Sequence, residues 1–106
     1  MRQSVEDVKR LVSIMGEQLE FASVREDFGQ VVVCLEARQL DDSRVSSLQK
    51  FADGVVQRKN GSLDLELESR RVYYMPPDRY EDGSQMELKQ FREELKNAGI
   101  RVSPWK

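Results

Sequence analysis

The chain has 106 residues, with 17 Lys and Arg against 19 Asp and Glu, which gives a formal net charge of −2. That length fits one domain, and the charge lacks the basic surplus typical of nucleic-acid-binding proteins. The absence of histidine removes the commonest metal ligand and general base, and with them every Ser-His or Cys-His pair. We therefore expect one non-catalytic domain over residues 1–106, without a cofactor or a metal.

Membrane and secretion signals are also missing from the sequence. No stretch approaches the roughly 18 apolar residues of a transmembrane helix. The first ten residues lack the apolar region of a secretory signal. The lone cysteine, Cys34, can form no disulfide within the chain. We expect no membrane span and a cytoplasmic, reducing location.

The first 37 residues predict a helix followed by a β-hairpin. Apolar residues recur every three or four positions over about 4–17, and Ser4 with Asp7 resembles a capping box. Strand-like runs follow over 19–26 and 30–37, separated by the turn signal Asp-Phe-Gly-Gln. The second run contains Val-Val-Val-Cys-Leu, which is typical of a strand buried on both faces.

The middle of the chain predicts a second helix and a second hairpin. The helix covers about 43–57, with a cap from residues 41–43. Its apolar face consists of Val45, Leu48, Phe51, Ala52, Val55 and Val56. Residues 63–68 alternate strictly, which predicts a strand with three leucines inward and three carboxylates outward. Residues 72–75 form the next strand, which two prolines end.

The last third predicts a polar loop over 76–83 and a helix over about 84–98. Ser84 and Glu87 resemble a second capping box, and Ile100 with Val102 suggests a short final strand. The chain order α-β-β-α-β-β-α predicts an α+β fold. We expect a two-layer sandwich with a largely antiparallel four-stranded sheet and three helices.

The sharpest polar pattern is the carboxylate row of Asp64, Glu66 and Glu68. On one strand face these side chains suit a basic protein partner, whereas a Ca²⁺ or Mg²⁺ ion needs further oxygen ligands that the sequence does not supply. A plain solvated strand face is the third interpretation. We predict that this row, with Tyr80 of the polar loop, contacts a partner.

Two further strands carry residues with possible chemistry. The sequence from Arg70 to Tyr74 combines cations with aromatic rings, as single-strand nucleic-acid binders do. Neighbouring Tyr73 and Tyr74 point to opposite sheet faces, so we expect one core and one surface tyrosine. Cys34 lies in the apolar strand, where we expect an inert buried thiol.

The second helix contains a glycine in its middle, Gly54, which is unfavourable by about 1 kcal/mol relative to alanine. Such a glycine often marks the close approach of another backbone, either within the fold or across a dimer. A tolerated surface glycine is the other interpretation. We predict self-association through Phe51, Gly54 and Val55.

Residues 31–77 resemble the core of the SepF cell-division proteins. The matching positions are 31–35, 51–54, 61 and 72–76. In that family a hydrophobic strand leads to a helix with a Phe-x-x-Gly-like segment, then to a glycine turn and an aromatic strand ending at proline. The resemblance implies a non-catalytic fold that dimerises, polymerises and ties the tubulin-like protein FtsZ to the membrane.

These patterns predict a non-catalytic protein-protein interaction or self-assembly module that forms a homodimer or binds a protein partner. A division scaffold and a small inhibitor both fit this class. The alternative is a single-stranded nucleic-acid-binding domain that uses the strand from Arg70 to Tyr74.

Overall fold

The computed structural model describes residues 2–104, which form three helices and one sheet in the predicted order. The elements are α1 (Gln3–Met15), β1 (Leu19–Asp27), β2 (Gln30–Ala37), α2 (Asp42–Gln57), β3 (Ser62–Glu66), β4 (Arg71–Met75), α3 (Leu88–Asn97) and β5 (Ser103–Pro104). A 3₁₀ turn, Gly16–Gln18, joins α1 to β1. The α+β fold class is confirmed.

The sheet has the strand order β3-β4-β2-β1-β5, so β3 and β5 are its two edges. The first four of these strands pair antiparallel, which confirms both predicted hairpins. The two-residue β5 runs parallel to the middle of β1. The short final strand expected near Ile100 and Val102 begins at Ser103.

The helices cover one face of the sheet: α2 packs on β3, α1 on β2 and α3 on β1. Val33, Leu35 and Val72 point into this layer and are fully buried, so each contributes about 1.5–3 kcal/mol by leaving water. Val32 and Cys34 lie on the face without helices, and both are also buried. Burial of β2 on both faces is therefore confirmed.

The predicted capping box of α1 is wrong. The helix begins at Gln3, and the side chain of its N-cap residue, Arg2, forms no capping hydrogen bond; instead the backbone N–H of Gln3 donates to the carboxylate of Glu81, at 3.1 Å. Ser4 and Asp7 are both buried, because they lie on the same face as Leu11 at three- and four-residue spacing. By contrast, one of the three predicted caps of α2 is confirmed: the Asp41 carboxylate accepts a hydrogen bond from the backbone N–H of Arg44.

The capping box predicted for α3 is also wrong, and the helix begins at Leu88 rather than near Ser84. The N–H and hydroxyl of Ser84 donate to the carboxylate of Asp82, at 2.9 and 2.5 Å. These hydrogen bonds, with a smaller effect of Arg2, lower the pKa of Asp82 to about 2. A local turn thus competes with helix formation for the serine.

The alternation predicted for residues 63–68 stops early. Strand β3 ends at Glu66, so Glu68 lies in the turn to β4 and not on the strand. Leu67 is 47% exposed, and the prediction that it points inward is wrong. The reason is the turn itself, which closes with Arg70 at a φ of 58° and reverses the chain before a third inward position is reached.

Candidate interaction surfaces

The three predicted acidic residues lie at the β3 edge of the sheet. Asp64, Glu66 and Glu68 are all exposed, and none forms an ion pair with another residue of the range 2–104. Arg71 is directly opposite Glu66, but its guanidinium donates to Glu36 on the other neighbouring strand, at 2.7 Å. Within residues 2–104 no three His, Cys, Asp or Glu side chains converge on a metal-sized site.

The prediction that Tyr80 contacts a partner from the surface is wrong, because its side chain belongs to the core. It is 3% exposed, and its hydroxyl donates to Glu94 at 2.7 Å. The guanidinium of Arg2 stacks on its ring, 3.7 Å from the centroid. Burial, with the Glu94 hydrogen bond, raises the pKa of the Tyr80 phenol.

The predicted self-association residues of α2 do not form one exposed patch. Val55 is fully buried, and Phe51 and Gly54 are partly buried. A methyl group added at Gly54 meets nothing within 4 Å, so the close approach of another backbone within the fold is excluded as its cause. Val56, predicted on the apolar face, is instead 62% exposed.

The strand from Arg70 to Tyr74 presents one tyrosine to the core and one to the open face, as predicted. Tyr74 is fully buried, whereas Tyr73 is half-buried and lies opposite Asp64. Cys34 is free and buried, and burial raises the pKa of its thiol. These positions fit an inert thiol and leave only one tyrosine ring available for stacking.

Sequence reasoning missed a buried polar cluster around Asp7. Its carboxylate accepts hydrogen bonds from Gln3 (3.0 Å), Arg58 (3.0 Å), Asn60 (2.7 Å) and the Tyr74 hydroxyl (3.0 Å). Four donors compensate for removing this carboxylate from water. The signal was present in the sequence, since Asp7 is a charged residue at apolar-face spacing. The cluster is a structural device that joins α1 to the loop after α2 and to β4.

A second feature that sequence reasoning missed is the conformation of Phe28 in the predicted turn between β1 and β2. We call the two-residue loop of Phe28 and Gly29 the Phe28 turn. Asp27 pairs with Gln30, and both loop residues have positive φ, 51° and 78°. Type I′ turns need this combination and favour Asn, Asp or Gly. Phe28 is fully exposed, so no packing compensates for its unfavourable backbone conformation.

The third missed feature is a basic groove between α3 and residues 99–102. Its charged rim contains Lys89, Arg92, Lys96 and Arg101, and its apolar wall contains Ile100 and Val102; Glu93 also lines it. The helical members are spaced three and four residues apart, a signal that the sequence did contain. None of the four cations forms an ion pair with a residue of 2–104.

Comparisons with protein-family models, with curated proteins and with solved structures found no significant match. Within the described residues, no helix is long and apolar enough to cross a lipid bilayer. The class defined by the fold is therefore a small α+β domain whose helices cover one sheet face.

Proposed function

We propose that this protein is a non-catalytic protein-protein interaction module that associates with itself, and that the Phe28 turn anchors the contact. The observation that carries the proposal is an aromatic side chain that is fully exposed and held at a φ of 51°. Aromatic residues dominate the energetics of many protein interfaces. A large apolar side chain in a strained turn lowers the stability of the monomer and becomes favourable only when another surface covers it.

The backbone conformation of Phe28 indicates how much this residue destabilises the monomer. Holding a bulky residue in the left-handed region is unfavourable by about 1 kcal/mol or somewhat more. Asparagine adopts that region readily and is the preferred residue at the first position of a type I′ loop. Phe28→Asn should therefore stabilise the folded monomer while it removes the anchor. A residue that served only folding would show the opposite sign.

The test is to measure association of the wild type and Phe28→Asn by light scattering coupled to size exclusion. We expect concentration-dependent association of the wild type at about 0.5 M NaCl, where charge-based contacts are largely screened. Phe28→Asn should lose it and unfold at a higher temperature. Val56→Thr is the matched control, because Val56 is also an exposed apolar residue but has ordinary helical geometry. A wild type that stays monomeric, or a Phe28→Asn variant that associates equally, contradicts the proposal.

A polymerising scaffold, as the SepF resemblance implies, is one form of this function, and a small inhibitor is another. The burial of the apolar face of α1 against the sheet argues against using that helix as a membrane anchor. We also propose a reducing, cytoplasmic location, in keeping with the single unpaired cysteine.

The nucleic-acid alternative has less support, because Tyr74 is buried and Asp64 lies opposite Tyr73. Single strands should then bind weakly even at low salt. Salt-sensitive binding that Tyr73→Ala abolishes would favour that alternative instead.

A further inference from the structure

The basic groove concentrates positively charged side chains that form no ion pair within the described part of the chain. Four cations line it against one carboxylate, Glu93. The whole chain carries a net charge of −2, so this local excess is opposite in sign to the rest of the molecule. Such a rim attracts an anionic ligand over a distance of about one Debye length, which is roughly 8–10 Å at ordinary ionic strength. The groove therefore favours an acidic ligand over a neutral or basic one.

The wall of the groove narrows the choice of occupant. Half-buried Val102 supplies apolar surface beside the cations, with a small contribution from Ile100, which is 7% exposed. A phosphate backbone would use the cations alone and would leave the apolar wall uncovered. An acidic protein segment with an apolar side chain at its centre would use both parts. The groove thus fits a polypeptide better than a nucleic acid.

The chain itself carries a segment of this kind. The β3–β4 turn exposes Leu67 between Glu66 and Glu68, and Asp64 extends the negative charge along β3. We call these four residues the acidic turn. Its apolar side chain matches the groove wall, and its carboxylates match the rim. We propose that the acidic turn of one copy docks in the basic groove of a second copy.

The acidic turn and the basic groove lie too far apart in one copy to touch each other, so a contact between them joins two copies. Strand β3 is one edge of the sheet, and the groove lies at the other edge, where α3 packs on β1 and residues 99–102 lead into β5. Four strand spacings separate the two edges, a distance of about 19 Å. A contact between two different patches is heterologous, so after the first contact one copy keeps a free groove and the other keeps a free acidic turn. Copies therefore add head to tail beyond the dimer.

This inference rests on the self-association proposed above but uses a different surface, so its test is made in the Phe28→Asn background. One variant adds Glu66→Lys and Glu68→Lys, and the other adds Lys89→Gln and Lys96→Gln. We expect light scattering at about 50 mM NaCl to show head-to-tail species for the parent and monomers for each variant alone. The mixture should form a one-to-one complex and nothing larger, because only one intact turn and one intact groove remain.

Each variant should bind at least about fivefold more weakly, because two exposed ion pairs together contribute roughly 1 kcal/mol or more. Lys9→Gln with Lys50→Gln is the matched control: it removes two exposed lysines from α1 and α2 and should leave assembly unchanged. Circular dichroism of every variant checks that it folds.

Four outcomes overturn the inference. A parent that stays monomeric at low salt contradicts it, and so does assembly that the variants leave unchanged; the Phe28→Asn comparison at high salt still decides the proposed function separately. A species that stops at a dimer indicates a symmetric interface. Binding of a fluorescent oligothymidylate that the Lys89→Gln, Lys96→Gln change abolishes assigns the groove to nucleic acid.

Discussion

Replacing Asp7 by alanine should lower the free energy of unfolding by about 3 kcal/mol. The side chain is 3% exposed and accepts four hydrogen bonds, of a kind that contributes roughly 1.5–3 kcal/mol each when the acceptor is charged. The expected loss is smaller than the sum of the four hydrogen-bond contributions, because the donors keep other partners. Gln3 and Arg58 can turn to water, and the Tyr74 hydroxyl keeps the Asn60 carbonyl as an acceptor at 3.0 Å. The expected loss lies at the lower end of the range for breaking a buried ion pair.

Urea denaturation followed by circular dichroism measures this loss. With a slope of about 2 kcal/mol per molar urea, the midpoint should fall by about 1.5 M. Glu6→Ala is the matched control, since Glu6 is the exposed neighbour in the same helical turn and should change stability by less than about 0.5 kcal/mol. A double-mutant cycle of Asp7→Ala with Tyr74→Phe should give a coupling of about 1 kcal/mol. If Asp7→Ala resembles Glu6→Ala, the cluster does not stabilise the fold and the argument fails.

Further measurements test other parts of the fold. Gly61→Ala should destabilise the protein by about 2 kcal/mol or more, because φ is 105° and a Cβ would overlap the carbonyl oxygen of Met75. Gly54→Ala, in open space within α2, should instead stabilise the protein by about 1 kcal/mol. If urea titrations gave the two glycine variants the same change in stability, this contrast between the two positions would be refuted. Cys34 should react with a disulfide reagent slowly in the native state and rapidly in urea, because burial shields the thiol and raises its pKa; fast native labelling would contradict its burial. The pKa of Asp82 is lowered to about 2, so its contribution to stability is present above the unfolded value of about 3.9 and is lost as the pH falls towards 2. Asp82→Asn should therefore flatten the fall in melting temperature between about pH 5 and pH 2, and an unchanged profile would contradict it.

The hairpins and α2 could be predicted because their signals are local. Strand alternation and helical spacing each need only a few neighbouring residues, and the turns between them are short. The capping boxes at Ser4 and Ser84 failed because the same signature fits more than one partner. Asp7 accepts hydrogen bonds from side chains of other elements, such as the Tyr74 hydroxyl, and Ser84 donates to Asp82. In both cases a hydrogen-bond partner outside the predicted capping box replaces the capping interaction.

The surfaces were harder to predict than the elements. The burial of Tyr80 depends on Arg2 and Glu94, one from each end of the chain, and no local pattern reports such a contact. The basic groove likewise joins a helix face to the segment after it. Phe28 is different, because its place in a two-residue loop was visible in the sequence, but its positive φ appears only once the pairing of β1 with β2 is known.

Residues that stabilise the folded monomer and residues that bind a partner differ in how their replacement changes the stability of the monomer. Asp7 and Gly61 support the folded monomer, so changing either should destabilise it. A binding anchor must be exposed before its partner arrives, so it adds nothing to monomer stability and can reduce it. Phe28 meets that description in the turn, and Leu67 meets it between two carboxylates at the sheet edge. If Phe28→Asn raises the melting temperature while it weakens association, that opposite sign assigns the turn to binding rather than to folding.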